Sequence, residues 1–269
     1  MYPFQCRGYR EDYREMPDYM KPEHDIYLSI VVPSYNEENK IEKDIKLLYE
    51  HFNKQTYNFE IIIVNDGSKD KTLDILTKIK ERHKNLKIVS YPENKGKGYA
   101  VKTGVLQATG KYILFVDAGY CVPFHETEKG INFLENGYDI AIGSRLLSES
   151  EIVIKQPFYR TISGRIFASI TRAIVNIKGI VDTQCGFKFF KKEVAQKILS
   201  QQKINGFIFD VEVLSIAQRL GYTIKEFPLK WSCDFDTRLN PRREFLKILR
   251  DLVRIRLNIS KISRREKSK

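Results

Sequence analysis

Asp117 closes an apolar run in the segment "KYILFVDAGYCVPF". An unpaired carboxylate beside a core is costly, so it either caps a backbone group or holds a ligand. A metal grip would place a second acid two residues on, but that position is Gly119. Asp66, in "VNDGS", follows another apolar run; a turn there also favours Asp and Gly for backbone reasons alone. Lys97 lies between Gly96 and Gly98. The segment is neither a P-loop nor a dinucleotide fingerprint, so Lys97 faces a phosphate or belongs to a plain surface loop. Arg145 ends a further strand, and Arg160, Ser163 and Arg165 cluster on a helix. Together they form a phosphate site with fork geometry, the alternative being solvated arginines.

The elements that must position these groups follow from periodicity. Leu28–Val32 and Ile61–Val64 are continuous apolar runs, as expected of strands covered on both faces. "LKIVSY", "KYILFV" and "YDIAIGSR" read as further strands. A helix from Glu37 to about His51 places Ile41, Ile45 and Leu48 on one side, and "KDKTLDILTKIKERH" reads as a second helix. The strand–helix alternation predicts an α/β fold, a mostly parallel central sheet with helices on both faces. Ligands in such sheets sit beyond the carboxyl ends of the strands, where Pro33-Ser34-Tyr35, Asn65-Asp66-Gly67 and Asp117-Ala118-Gly119 all lie. "FYRTISGRIFASITRAIVNIKG" and "FDVEVLSIAQRLGY" read as helices, "DTQCGFKFFKKEVAQKIL" as loop, strand and helix, and "TIKEFPLKWS" as an edge strand broken by Pro228.

At 269 residues and 42% hydrophobic content the chain supports one large domain with appendages. The expected organisation is a polar N-terminal extension (1–26), a main domain (27–241) and a basic amphipathic C-terminal helix and tail (242–269). Net charge is +12, with eleven Lys/Arg against three acids from Arg242 onward. That asymmetry predicts an anionic partner near this end, the alternative being a solvated tail. Phe245, Ile248, Leu252, Ile255, Ile259 and Ile262 form one apolar stripe, with Lys247, Arg250, Arg254 and Lys261 opposite and Arg256 on the apolar side. The aliphatic stripe favours a membrane surface or a protein over nucleic acid, whose binding calls for interleaved aromatics. Cys6, Cys121, Cys185 and Cys233 are scattered, which argues against zinc and for a reducing compartment. No run approaches the roughly 18 apolar residues of a membrane span.

Taken as an ordered set, "VVPSYNEE", "VNDGSKDKT", "NKGKGYAVKTG" and "FVDAG" resemble the family-2 glycosyltransferases of the A-type fold. "DTQCGFKFF" and "FDVEVL" most resemble the dolichyl-phosphate or polyprenyl-phosphate glucosyltransferase branch. The resemblance covers roughly Leu28 to Leu257. It implies an inverting transfer of a sugar, glucose from UDP-glucose foremost, onto a polyprenyl phosphate by a peripheral protein on the cytoplasmic face of a membrane. It implies that Pro33, Tyr35, Glu37 and Asp66 hold base and ribose, with Lys97 near the diphosphate. Asp182, Gln184 and Asp210 line the sugar pocket, and Arg145, Arg160, Ser163 and Arg165 take the acceptor phosphate. Asp117, Arg145 and Asp210 are the expected catalytic residues, with Mg²⁺ or Mn²⁺ on Asp117. Gly119 departs from the family's Asp-x-Asp, which predicts a weaker, substrate-dependent metal site; Mg²⁺ often takes only one or two carboxylates beside phosphates and water. The rival readings are a mannosyltransferase using GDP-mannose, and a nucleotide-sugar-binding or nucleic-acid-binding protein without catalysis. A processive polysaccharide synthase is disfavoured by the absence of Gln-x-x-Arg-Trp and of membrane spans.

Overall fold

The computed structural model describes residues 26–234 and 241–262; of residues 158–163, 165, 166, 172 and 241–245 it describes the backbone alone. The expected extension 1–26 therefore lies outside the described residues, except for Ile26. Nine strands are described: β1 (Leu28–Ser34), β2 (Phe59–Asp66), β3 (Leu86–Tyr91), β4 (Tyr112–Val116), β5 (Ile140–Ser144), β6 (Glu151–Ile154), β7 (Phe187–Lys191), β8 (Ile224–Pro228) and β9 (Lys230–Ser232). The helices are α1 (Ile41–Phe52), α2 (Thr72–Lys80), α3 (Lys97–Gln107), α4 (Thr127–Glu135), α5 (Phe158–Val175), α6 (Lys192–Gln201), α7 (Phe209–Arg219) and α8 (Pro241–Lys261).

Seven strands form one sheet in the order β3-β2-β1-β4-β7-β5-β8, and β6 pairs β9 in a small second sheet. β7 alone runs antiparallel to its neighbours β4 and β5; the other pairs of the large sheet are parallel. The mostly parallel α/β sheet expected from the alternation of elements is what the chain forms. Every residue of β2, β4 and β5 is buried, because helices cover both faces. Val31, Ile62, Val64 and Phe115 point into a core shared with α3, α6, α7 and α8. Ile30, Ile61, Ile63 and Leu114 point the other way, onto Ile41, Ile45, Leu48, Leu76 and Leu134 of α1, α2 and α4.

At one point the structure differs from the sequence reading. The first helix begins at Ile41 rather than Glu37. The Glu37 and Glu38 amides donate to Thr72 Oγ1 (2.8 Å) and Asp70 Oδ2 (3.1 Å), which ties the turn before α1 to the 70–72 segment. Pro228 closes β8 opposite Ser144, and the chain then leaves the sheet to form β9. β6, which sequence periodicity does not announce, is four mostly exposed residues and forms only by pairing β9.

The basic C-terminal helix docks on the main domain. Leu252 and Ile255 are fully buried, and Ile248, Ile259 and Ile262 pack around them. α8 lies against α5 and α7, with Arg256 Nη1 donating to Ile174 O (2.9 Å) and Arg219 Nε to Ile262 O (2.8 Å). The apolar stripe read from the sequence thus faces protein from Ile248 to Ile262, the side chain of Phe245 lying outside the described residues. A different set, Leu246, Val253 and Leu257, is exposed and alternates with exposed Arg250, Arg254 and Lys261. Among the described residues no helix is long and apolar enough to cross a membrane.

Candidate functional site

The three polar strand ends converge, as the sheet topology requires. A cavity of about 370 Å³ is lined by Pro33, Ser34, Tyr35, Glu37 and Lys40 after β1, by Asp66 of β2, and by Asn94, Gly96, Lys97 and Ala100 at the start of α3. Asp117, Ala118 and Cys121 after β4 close one side, and Phe207 and Asp234 arrive from the second half of the chain. Six sequence-predicted residues, Pro33, Tyr35, Glu37, Asp66, Lys97 and Asp117, therefore share one crevice. Lys40, Asn94, Phe207 and Asp234 join them without having been expected there. Asn94 had a local signal, being next to the Gly-Lys-Gly segment; Asp234 had none.

The loops of this crevice are latched to one another by the polar residues of their motifs. Asn36 N donates to Ser68 Oγ (2.9 Å), and Asn36 Oδ1 accepts from Lys69 N (2.8 Å). Glu38 Oε2 accepts from Lys71 N (3.0 Å). Asp66 is spent in the same way: it accepts from Asn94 Nδ2 (2.9 Å), Lys95 N (2.8 Å) and Gly96 N (2.9 Å). The carboxylate that ends β2 therefore shapes the loop that delivers Lys97. The first amides of α3 are also taken, since Gly98 N and Tyr99 N both donate to Asn205 O. The cationic group offered to a ligand here is thus the lysine side chain, not the helix end.

Lys97 Nζ lies 2.7 Å from Asp117 Oδ1 and donates to Oδ2 at 2.9 Å. Burial works against the charged lysine, and Asp117 followed by Asp210 outweighs it, so the ammonium titrates above its ordinary value. Asp117 is backed by Gly186: its amide donates to Gly186 O, and a Cβ on Gly186 would sit 2.1 Å from Asp117 Oδ2. Asp210 is almost fully buried on α7 and pairs with Lys188 of β7 at 2.6 Å. Burial raises its carboxyl, with Lys188 and then Lys97 opposing. It stands behind the crevice rather than in its lining.

A second, largely apolar cavity of about 490 Å³ lies beside the first. Leu146, Ile152, Phe167, Ala168, Val181 and Trp231 form its walls; Arg145, Asp182 and Gln184 give it a polar end. Asp182 holds Arg145 as a fork, accepting from Nε (2.7 Å), Nη2 (2.8 Å) and the backbone amide (3.0 Å). Burial works to raise the Asp182 carboxyl; the guanidinium outweighs it and leaves it below the usual carboxylate range. The guanidinium also lies 5.4 Å from the Trp231 ring centre. Gln184 Nε2 is buried and donates to no group among the described residues. The segment 182–186 thus links the two cavities: Asp182 and Gln184 line this one, and Gly186 stands behind Asp117 of the other. Arg145, Asp182 and Gln184 are brought together at the polar end of this cavity. The side chains of Arg160, Ser163 and Arg165 lie outside the description, on a helix whose Phe167 and Ala168 line this cavity.

The residues fit a divalent cation that takes few protein ligands. Among the described residues no group of three or more His, Cys, Asp or Glu could enclose one. Asp117 Oδ1, however, is buried and accepts no hydrogen bond, with only the Lys97 charge beside it. Gly119 has φ 98° and its amide donates to Asp44 Oδ2 (2.7 Å). A Cβ there would lie 2.5 Å from Asp234 Oδ2. Hard carboxylate oxygens at such a mouth suit Mg²⁺ or Mn²⁺ completed by phosphate and water.

Residues 29–199 match the sequence profile described as glycosyl transferase family 2. The chain is 35% identical to a dolichyl-phosphate beta-glucosyltransferase of Dictyostelium discoideum, over 93% of this chain and 80% of that protein. It is 34% identical to the dolichyl-phosphate beta-glucosyltransferase of Homo sapiens, over 86% and 75%. In three dimensions it is similar to glucosyl-3-phosphoglycerate synthase from Mycobacterium tuberculosis, solved with Mn²⁺, UDP-glucose and phosphoglyceric acid. That match has a TM-score of 0.60 and 18% identity, and covers 88% of this chain and 80% of the other.

Proposed function

The chain belongs to glycosyl transferase family 2, and from that premise we propose that it moves glucose from UDP-glucose onto the phosphate of a membrane polyprenol. One observation carries the reading: the segment 182–186 links a polar cavity, where its Gly186 backs Asp117 beside Lys97, to an apolar cavity whose polar end is Arg145 with Asp182 and Gln184. A nucleotide sugar suits the first and a lipid phosphate the second. The activity named for the curated relatives supports both assignments.

The acceptor is a phosphate monoester, whose second pKa near 6 leaves it largely ionised at neutral pH. Its oxygen attacks the anomeric carbon of glucose, the bond from that carbon to the diphosphate oxygen breaks, and UDP departs with inversion. No strong general base is needed; positioning and charge neutralisation are. Asp182 takes the Nε and Nη2 side of Arg145, which leaves the Nη1 side to face the acceptor phosphate. Arg160, Ser163 and Arg165 of α5 complete that phosphate site. Lys97 leaves Asp117 for the departing diphosphate, and buried Asp210 positions it through charge. Pro33, Tyr35 and Glu37 hold the nucleoside and Asp66 shapes the 94–96 loop beside it, while Asp182 and the buried amide of Gln184 meet the sugar. A divalent cation, Mg²⁺ or Mn²⁺, on Asp117 would neutralise the diphosphate charge.

Membrane contact falls to the outer stripe of α8, Leu246, Val253 and Leu257, with Arg250, Arg254 and Lys261 beside anionic headgroups. The protein then works as a peripheral enzyme on the cytoplasmic face. The test is incubation with polyprenyl phosphate and a panel of labelled nucleotide sugars, with and without Mg²⁺ or Mn²⁺. Lipid-linked glucose from UDP-glucose is the expected product. Transfer from GDP-mannose instead would overturn the donor, and no lipid-linked sugar under any condition would overturn the transferase reading.

A further inference from the structure

Gly119 stands where a second metal-binding acid is missing along the chain, yet the space is not empty of carboxylate. The side chain of Asp234 fills it: Oδ2 lies 2.5 Å, Cγ 3.2 Å and Cβ 3.6 Å from where a Cβ on Gly119 would be. Asp234 therefore enters from the opposite direction and brings its oxygen to the point at which an acid at 119 would begin. We propose that Asp234 is the second carboxylate of the divalent-cation site, restored in space by the segment after β9. The inference rests on the metal reading given above.

Four further observations converge on it. Asp117 and Asp234 line the same cavity, so they open toward one ligand. Asp117 Oδ1 is buried without a hydrogen bond, on the side where Lys97 alone supplies charge. Asp234 is likewise held by a lysine, Lys40, which also bridges to Glu37 at 3.1 Å. Each of the two carboxylates thus has an ammonium group against it, in the place where a cation would sit. Finally, of the other nearby acids Asp44 accepts the Gly119 amide and fixes the loop, and Glu37 is bridged to Lys40. The backbone that carries Asp234 is itself anchored, with Ser232 N donating to Cys121 O (2.8 Å) and Cys233 N to Ile154 O (3.1 Å). Both bonds tie the end of β9 to the loop after β4 and to β6.

Mn²⁺ affinity, read by electron paramagnetic resonance on the full chain with UDP present, tests the assignment apart from turnover. Asp234→Asn is expected to weaken Mn²⁺ binding about tenfold or more, on the scale found when metal-supporting groups are lost. Asp234→Glu is expected to recover part of it by keeping the carboxylate. Lys40→Met separates ligation from anchoring. If Asp234 serves only to hold Lys40, both variants change Mn²⁺ affinity alike; if it binds the cation, Lys40→Met leaves affinity undiminished. Thermal melting of each variant reports that the fold persists. Wild-type affinity retained in Asp234→Asn, with Asp117→Asn defective, would overturn this inference and leave the metal reading standing. Absence of Mn²⁺ binding in the wild-type protein with UDP would overturn the metal reading itself.

Discussion

Lys97 Nζ sits between the two carboxylate oxygens of Asp117, 2.7 Å from one and 2.9 Å from the other. The acid at the end of β4 is thus answered by a cation from the first residue of α3, in the place where charge on a departing diphosphate must be met. Removing either partner should cost more in catalysis than in folding, since both side chains are partly exposed. Lys97→Met and Asp117→Asn are each expected to lower kcat for transfer to polyprenyl phosphate about 10²- to 10³-fold. Melting temperatures near wild type, measured alongside, separate this from unfolding.

Gly186 tests the backing of that acid. A methyl group there would meet the Asp117 carboxylate at 2.1 Å, so either Asp117 or the 182–186 wall must move. Gly186→Ala should destabilise by about 1–3 kcal/mol in urea titrations. It should also lower activity well beyond the fraction unfolded. Full activity in a folded Gly186→Ala protein would show that Asp117 tolerates displacement.

The Arg145–Asp182 fork separates structure from binding. Asp182→Ala strands a largely buried guanidinium, with an expected loss of about 3 kcal/mol or more in stability. Arg145→Lys keeps the charge but cannot reproduce the two-pronged geometry. Its expected signature is a raised KM for the lipid phosphate with the KM for UDP-glucose little changed.

The two stripes of α8 should respond differently. Leu252→Ala removes a fully buried side chain and is expected to cost about 2–5 kcal/mol. A paired change on the outer stripe, Leu246→Asp with Leu257→Asp, should leave stability near wild type, because both residues are exposed. Flotation with vesicles containing anionic lipid should lose the double variant and retain the wild type.

High pH should weaken the fold through its thiols. Burial pushes Cys121 and Cys185 from an ordinary 9.0 up to about 12. Between pH 9 and 12 the unfolded chain has released those protons while the folded one keeps them, so stability falls as pH rises. Urea midpoints measured across that window should decline. The combination Cys121→Ser with Cys185→Ala should flatten the decline, and an unchanged slope would acquit the thiols.

Much of this site is legible along the chain. Asp66 and Asp117 each end an apolar run, and a covered parallel sheet must bring such ends to one edge, so period and turn chemistry suffice to group them with Tyr35 and Lys97. The role of Asp66 is less legible: three hydrogen bonds commit its carboxylate to the 94–96 loop, and a sequence records the acid but not its partners. Asp210 reads as a candidate in "FDVEVL", yet only packing reveals that Lys188 claims it behind the crevice.

Sequence by itself determined the α/β sheet, the edge at which ligands gather and the basic, amphipathic nature of the last helix. These follow from side-chain period, which is a local property. Tertiary structure decided which stripe of α8 faces inward, since both stripes have helical spacing and only α5 and α7 choose between them. It also decided that the space over Gly119 holds a carboxylate. Asp234 is far from Gly119 along the chain, and their approach depends on β9 pairing with β6 and on the Ser232–Cys121 bond. No spacing rule encodes contacts of that kind; they exist only once the sheet has closed around them.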